Sequence, residues 1–202
     1  MASTRYYRNF ENFADSLIHD SNEGRQIFKF SQGIKKLEHV YREDMSIHLN
    51  NIGFVDNFNI SIADYYCYCV SNKLVNEAYQ YYKADVCLKI DLINFCNRII
   101  YYFKINHLID VGVILGDVIY TENGKIDITN TTPDYRDLER IDYHFVKDNQ
   151  YAQVPETRLL IIPYSEGDAK KYNEMINTKE TLNITLPSWV NSKTSKIVDL
   201  YT

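Results

Sequence analysis

The chain has 202 residues, a net charge of -5 at pH 7, and 45% hydrophobic against 24% charged residues, the balance of an ordinary globular protein rather than a disordered one. Its basic residues come at most in pairs, Lys35-Lys36 and Lys170-Lys171, so it lacks the clustered cations that a phosphate backbone requires, and no nucleic-acid partner is expected. No apolar run approaches the roughly 20 residues that span a bilayer, and the opening "MASTRYYRNFENF" lacks a signal peptide's apolar core; the expectation is an intracellular protein, of host cytoplasm or nucleus, with no membrane partner.

In chain order, the first half reads as helical. Phe10, Phe13, Ala14, Leu17 and Ile18 follow the spacing of an amphipathic helix that ends near Asn22 and Gly24. Ile34, Leu37, Tyr41, Met45 and His48 predict a second helix over about 34–49, broken at Gly53. Ser61 and Asp64 have the spacing of a helix start, followed by Ile62, Tyr66, Val70 and Leu74 on one face. Asp85 is read as the cap of a fourth helix with the stripe Leu88, Leu92, Phe95, Cys96, Ile99, Ile100 and Phe103, antiparallel to the third.

After Asn106 the periods shorten. "VGVIL", "DVIYT", "KIDIT", "IDYHFV", "TRLLIIPY" and "LNITLP" read as strands, "ENG" as a hairpin turn, and Ala169, Tyr172, Met175 and Ile176 as one short helix. The expected fold is therefore α+β: a helical half of about four helices over 1–108, then a mainly antiparallel β half over 109–202. Both halves belong to a single compact domain, 1–202.

The unusual feature is the residue bias: 18 Tyr, 9 Phe and one Trp, with Ile and Asn abundant. These are residues of AT-rich codons, which points to an AT-rich genome such as that of a phage, an insect DNA virus or a reduced bacterium. Tyrosine also offers a large, stiff, amphipathic surface and is enriched at protein interfaces. On a helix, adjacent residues diverge by about 100°. Of each pair such as Tyr65-Tyr66, Tyr81-Tyr82 or Tyr101-Tyr102, one ring can enter the core while the other faces out.

The cysteines are weighed as a zinc site and set aside. On a helix, Cys67 and Cys69 point about 200° apart, and Cys87 and Cys96 about 180°, so four thiols so directed cannot meet at one ion. Cys67 and Cys96 read as small core residues. Cys87 shares a polar helical stripe with Asp91, Asn94 and Arg98 and reads as a solvent-facing thiol near a contact between chains. The histidines form no metal-binding spacing, and neither a nucleophile elbow nor a phosphate-binding loop is present.

The expectation is a non-enzymatic viral structural protein, of virion or occlusion-body type. It has no cofactor or metal, and it associates with itself, or with other viral or host proteins, through Tyr65, Tyr81, Tyr82, Cys87 and Tyr101. Two alternatives stand beside it. One is a virus- or phage-encoded protein that binds and inhibits a host defence factor. The other is a metal-dependent nuclease or phosphoesterase built on the acid-rich stretch holding Asp117, Asp127, Asp134, Asp137, Glu139 and Asp142.

Overall fold

The computed structural model describes residues 1–3, 25–42, 45–61, 64–73, 87–129, 141–179, 181–184 and 198–201. The chain divides into two compact units that interleave in sequence: Met1–Ser21, Asp64–Asp117 and Gln153–Thr202 in one, Asn22–Ala63 and Val118–Ala152 in the other. This division does not follow the boundary expected at residue 108.

The first unit is built on a four-stranded antiparallel sheet. Its members are β1 (Ala2–Ser3), β4 (Tyr66–Ser71), β6 (Val111–Asp117) and β10 (Glu156–Pro163), in the order β1-β4-β10-β6. Two helices accompany it, α1 (Leu92–His107) and α2 (Glu166–Thr178). Strand β4 precedes α1 and β6 follows it, with β10 lying between the two strands. That is a split β-α-β arrangement. A short antiparallel pair, β5 (Cys87–Ile90) with β11 (Val198–Tyr201), belongs to the same unit.

Strand β10 is central because its sequence allows nothing else. Leu159, Leu160 and Ile161 are all fully buried, so both faces of the strand lie away from water. Leu159 and Ile161 face a cluster made by Tyr66 and Val111 of the sheet, Cys96, Ile99 and Phe103 of α1, and Tyr172, Met175 and Ile176 of α2. Leu160 belongs to the other face, with Cys67 directly across from it on β4. Both helices are thus committed to one face of the sheet.

The second unit is a long bulged hairpin with short strands beside it. β2 (Arg25–Arg42) pairs antiparallel with β3 (Met45–Ser61). β8 (Lys125–Asp127) joins β2 in parallel. β7 (Ile119–Thr121) pairs in parallel with β9 (Val146–Asp148). Phe28 and Phe30, two apart and so on one face, are fully buried, and the Tyr143 ring meets Phe28 edge-on at 5.3 Å. Gly33 and Gly53 carry φ of +78° and +77°, and a side chain on Gly33 would come within 3.3 Å of the Gly53 backbone.

These observations overturn the expected fold. The chain is sheet-rich, with two α-helices among the described residues, and it is not a four-helix half followed by a β half. The helix expected over 34–49 is the β2–β3 hairpin, with Leu37 opposite Leu49 and His39 opposite Ile47. Register shifts at four places along the pair let apolar residues fall at intervals that mimic a helical stripe. The helix expected after Ser61 is strand β4, so the antiparallel helix pair loses its first member. Residues 10–18 and the proposed turn at 82–84 lie outside the described residues. "ENG" closes no hairpin: Glu122–Gly124 is a 3₁₀ turn between β7 and β8, which pair with different strands. Most of "IDYHFV" is likewise a 3₁₀ turn, Ile141–Phe145.

Two expected helices are present, both with altered bounds. The fourth helix begins later than expected, at Leu92, because Leu88 lies in β5 and Asp91 rather than Asp85 supplies the cap. The short helix at Glu166–Thr178 buries Tyr172, Met175 and Ile176 as its spacing requires. No helix among the described residues is long and apolar enough to cross a membrane.

Candidate functional site

Helix α1 is fixed at both ends by its own sequence. Asp91 accepts hydrogen bonds from the Asn94 backbone N–H at 3.1 Å and from the Asn94 side-chain amide at 2.7 Å. These bonds, first the backbone one, hold the Asp91 carboxyl below its ordinary range. At the other end Leu108 adopts the left-handed conformation, φ 53°, and Ile109 N–H reaches back to the Phe103 carbonyl at 3.4 Å.

The inner stripe of α1, Cys96, Ile99 and Phe103, is buried. Burial pushes the Cys96 thiol up. Turning about 180° round a helix of 3.6 residues per turn brings Tyr101 and Ile105 to the outer face. They are 56% and 57% exposed, and Leu108, just past the helix end, is 74% exposed. Ile93, in the first turn of the helix, is also exposed. Lys104 and Asp110 form an ion pair at 3.1 Å on the same segment. The arrangement is an apolar patch with one aromatic ring and a charged edge, carried on a rigid element.

The expected contact residues fare differently. Tyr101 lies in this patch, while its neighbour Tyr102 is half-buried against the core. Tyr65 is half-buried and packs on the core cluster rather than standing out. Tyr81 and Tyr82 lie outside the described residues. Cys87 is on strand β5, across from Tyr201, and Asp91 is a helix cap. The helical stripe that placed Cys87 among Asp91, Asn94 and Arg98 therefore does not exist.

Among the described residues the acid-rich stretch brings no metal-binding group together. Asp117 accepts hydrogen bonds from the Thr157 hydroxyl at 2.5 Å and from the Asn72 amide at 3.4 Å, which hold its carboxyl below the usual range. Asp127, in the other unit, accepts from Ser31 at 2.7 Å. Asp134, Asp137 and Glu139 lie outside the described residues. Among the described residues no group of three or more His, Cys, Asp or Glu converges as metal ligands would. A cavity of about 340 Å³ in the second unit is lined by Lys29, Glu122, Asn123, Lys125 and Asp127. Its two cations are matched by two carboxylates, so it offers no excess charge to a phosphate.

The sheet face turned away from the helices is concealed when 61–74 is taken at a helical period. Cys67, Cys69, Arg158 and Leu160 share that face, because alternate residues of β4 and β10 point the same way. Arg158 is only 2% exposed, and its Nε lies 3.8 Å from Glu156 Oε2. The signal was present in the alternation of "YCYCVS" and "ETRLLIIP", once both are read at a period of two.

Comparison with protein-family models, with curated proteins and with solved structures finds no match to this chain. Its function therefore has to be read from its own surfaces.

Proposed function

We propose that the protein works by contact: it is a structural protein that associates with copies of itself, of the kind a virus uses to build a particle or a matrix. The observation that carries this reading is the outer face of α1, where Tyr101, Ile105 and Leu108 stand together in solvent, each more than half exposed. Hiding such side chains from water is favourable at roughly 25 cal/mol per Å² of apolar surface. A folded helix face loses little entropy on docking, and an aromatic ring supplies a stiff anchor.

A second copy suits the patch on grounds of charge. Lys104 and Asp110 pair with one another at 3.1 Å beside it, so this pair adds no net charge that would repel an identical surface. The aromatic excess of the chain, 18 Tyr in 202 residues, agrees with a protein whose product is surface rather than turnover.

Sedimentation velocity of the full chain over a dilution series tests the reading. Oligomers that dissociate on dilution, and that Tyr101→Glu abolishes while the circular dichroism spectrum is preserved, are the expected result. A chain that stays monomeric at every concentration would sink it and favour a partner of another kind, such as a host factor.

A further inference from the structure

On a helix, Cys67 and Cys69 would diverge. On strand β4 they share a face, and their Sγ atoms stand 3.6 Å apart. Both carry thiols in the structure. Cys67 is fully buried and Cys69 half-buried, so Cys69 is the member of the pair that solvent reaches. Arg158 occupies the position across from Cys69 on β10, and Leu160 the position across from Cys67.

We propose that Cys67 and Cys69 form a two-thiolate site for a divalent, thiophilic metal ion of the zinc class. Three features lead there. The first is the spacing: two sulfurs bound to one tetrahedral ion at about 2.3 Å each stand about 3.8 Å apart. The observed separation of 3.6 Å fits that edge with little side-chain rotation.

The second feature is what the strand disfavours. An extended chain rises about 3.3–3.4 Å per residue, which sets residues two apart near 6.6–6.8 Å. That is the upper limit of Cα separation for a disulfide. Direct bridging of Cys67 to Cys69 would therefore distort β4 while it is paired to β10 along six residues. Insertion of an ion between the sulfurs leaves the ladder as it is.

The third feature is charge. Two thiols lose their protons to solvent as a divalent ion binds, and the resulting dithiolate complex is neutral. Arg158, on the same face, is matched by Glu156, so a neutral complex adds no uncompensated charge to a region largely hidden from water. With two protein ligands, fewer than the three or four of ordinary zinc sites, the ion leaves its remaining positions to water or a small ligand.

The test uses the full chain in anaerobic buffer without added thiols. Co²⁺ is titrated and the thiolate-to-cobalt charge-transfer absorption followed, while Cd²⁺ is added separately and alkylation of each cysteine is read by mass spectrometry. The expected result is saturation of the band at one ion per chain. Cd²⁺ should also slow alkylation of Cys69 about tenfold or more, as mass action requires once nine-tenths of the sites are filled. The Cys96 rate should not change. Cys69→Ser should remove the band, and Cys96→Ser should keep it. A Cys69 alkylation rate indifferent to Cd²⁺ overturns the proposal, as does a band that survives Cys69→Ser. Should Cys69→Ser fail to fold, the alkylation measurement on the unaltered chain decides alone.

Discussion

The phenolic oxygen of Tyr172 stands 2.8 Å from the backbone nitrogen of Tyr66 and accepts its hydrogen, while its own proton goes to the carbonyl of Ile161. Tyr66 and Ile161 face one another at the end of the β4–β10 ladder. A side chain of α2 thus completes the pairing of two strands and ties helix to sheet. The two tyrosine rings meet edge-on at 5.6 Å, and the Tyr66 hydroxyl donates to the Lys179 carbonyl just past the end of α2. Tyr172→Phe keeps the ring and removes the bridge. It should cost about 1–3 kcal/mol, the penalty for leaving buried backbone groups without a partner. Urea denaturation measures it.

Burial also pushes both hydroxyls up, Tyr172 well above its ordinary value of 10.0 and Tyr66 in the same direction. For an acid whose folded pKa is raised, the folded state holds its proton where the unfolded state has lost it. This contribution is therefore fully present below pH 10 and disappears as pH rises beyond it. The unfolding midpoint in urea should fall above pH 10, and fall less steeply in Tyr172→Phe.

Ile99 and Ile100 look equivalent in the sequence and are not equivalent in the fold. Ile99 is 1% exposed and sits inside the core cluster, whereas Ile100 is half-buried at its margin. Ile99→Ala should cost about 2–5 kcal/mol, the range for truncating a buried aliphatic side chain. Ile100→Ala should cost clearly less. Equal losses in chemical denaturation would show that the phase of α1 is misassigned.

How far the sequence foretold these relationships depended on local ambiguity. The α1 stripe from Leu92 to Phe103 and the α2 stripe through Ala169, Tyr172, Met175 and Ile176 were legible, because they repeat at helical spacing over about three and about two turns. Strand β10 was legible from the short apolar run LLII within it. The β2–β3 hairpin was not: Phe28 and Phe30 alternate cleanly, but the register shifts on either side of Ile34 break the period of two. Strand β4 was misread for another reason. Ser61 and Asp64 imitate a helix start, and Ile62, Tyr66 and Val70 happen to fall four apart. That single error hid the Cys67–Cys69 face, while Tyr101 was found because its helix was.

His107 gives the protein an acid-side dependence of opposite sign. It closes α1 with its ring 5.4 Å from Tyr102 and 5.8 Å from Phe103, and its buried Nε2 finds no hydrogen-bond partner among the described residues. Burial, and then the charge of Lys179, lower its pKa from 6.5. The helix C-terminus favours a cation there, but the two opposing effects outweigh it. A base with a lowered folded pKa binds its proton more readily unfolded, so stability is full above pH 6.5 and declines as pH falls through the folded value. His107→Phe should flatten the dependence of the urea midpoint between pH 7 and about pH 5.

Leu108 separates folding from function. It holds φ 53°, a left-handed conformation that costs a side-chain-bearing residue about 1–2 kcal/mol and costs glycine almost nothing. It also leaves 74% of its surface in water, so burial within the chain returns little of that cost. Glycine is the residue a chain ordinarily sets at such a helix end. Leu108→Gly should therefore stabilise the isolated chain, by about 0.5–1 kcal/mol once the added freedom of the unfolded state is counted. The same change removes the last apolar side chain of the α1 patch, beside Tyr101 and Ile105, and should weaken self-association in sedimentation. A variant that folds more stably yet assembles less is the signature of a residue held for contact. Were Leu108→Gly to lose stability and keep its assembly, Leu108 would belong to the fold and the α1 patch would not be the interface.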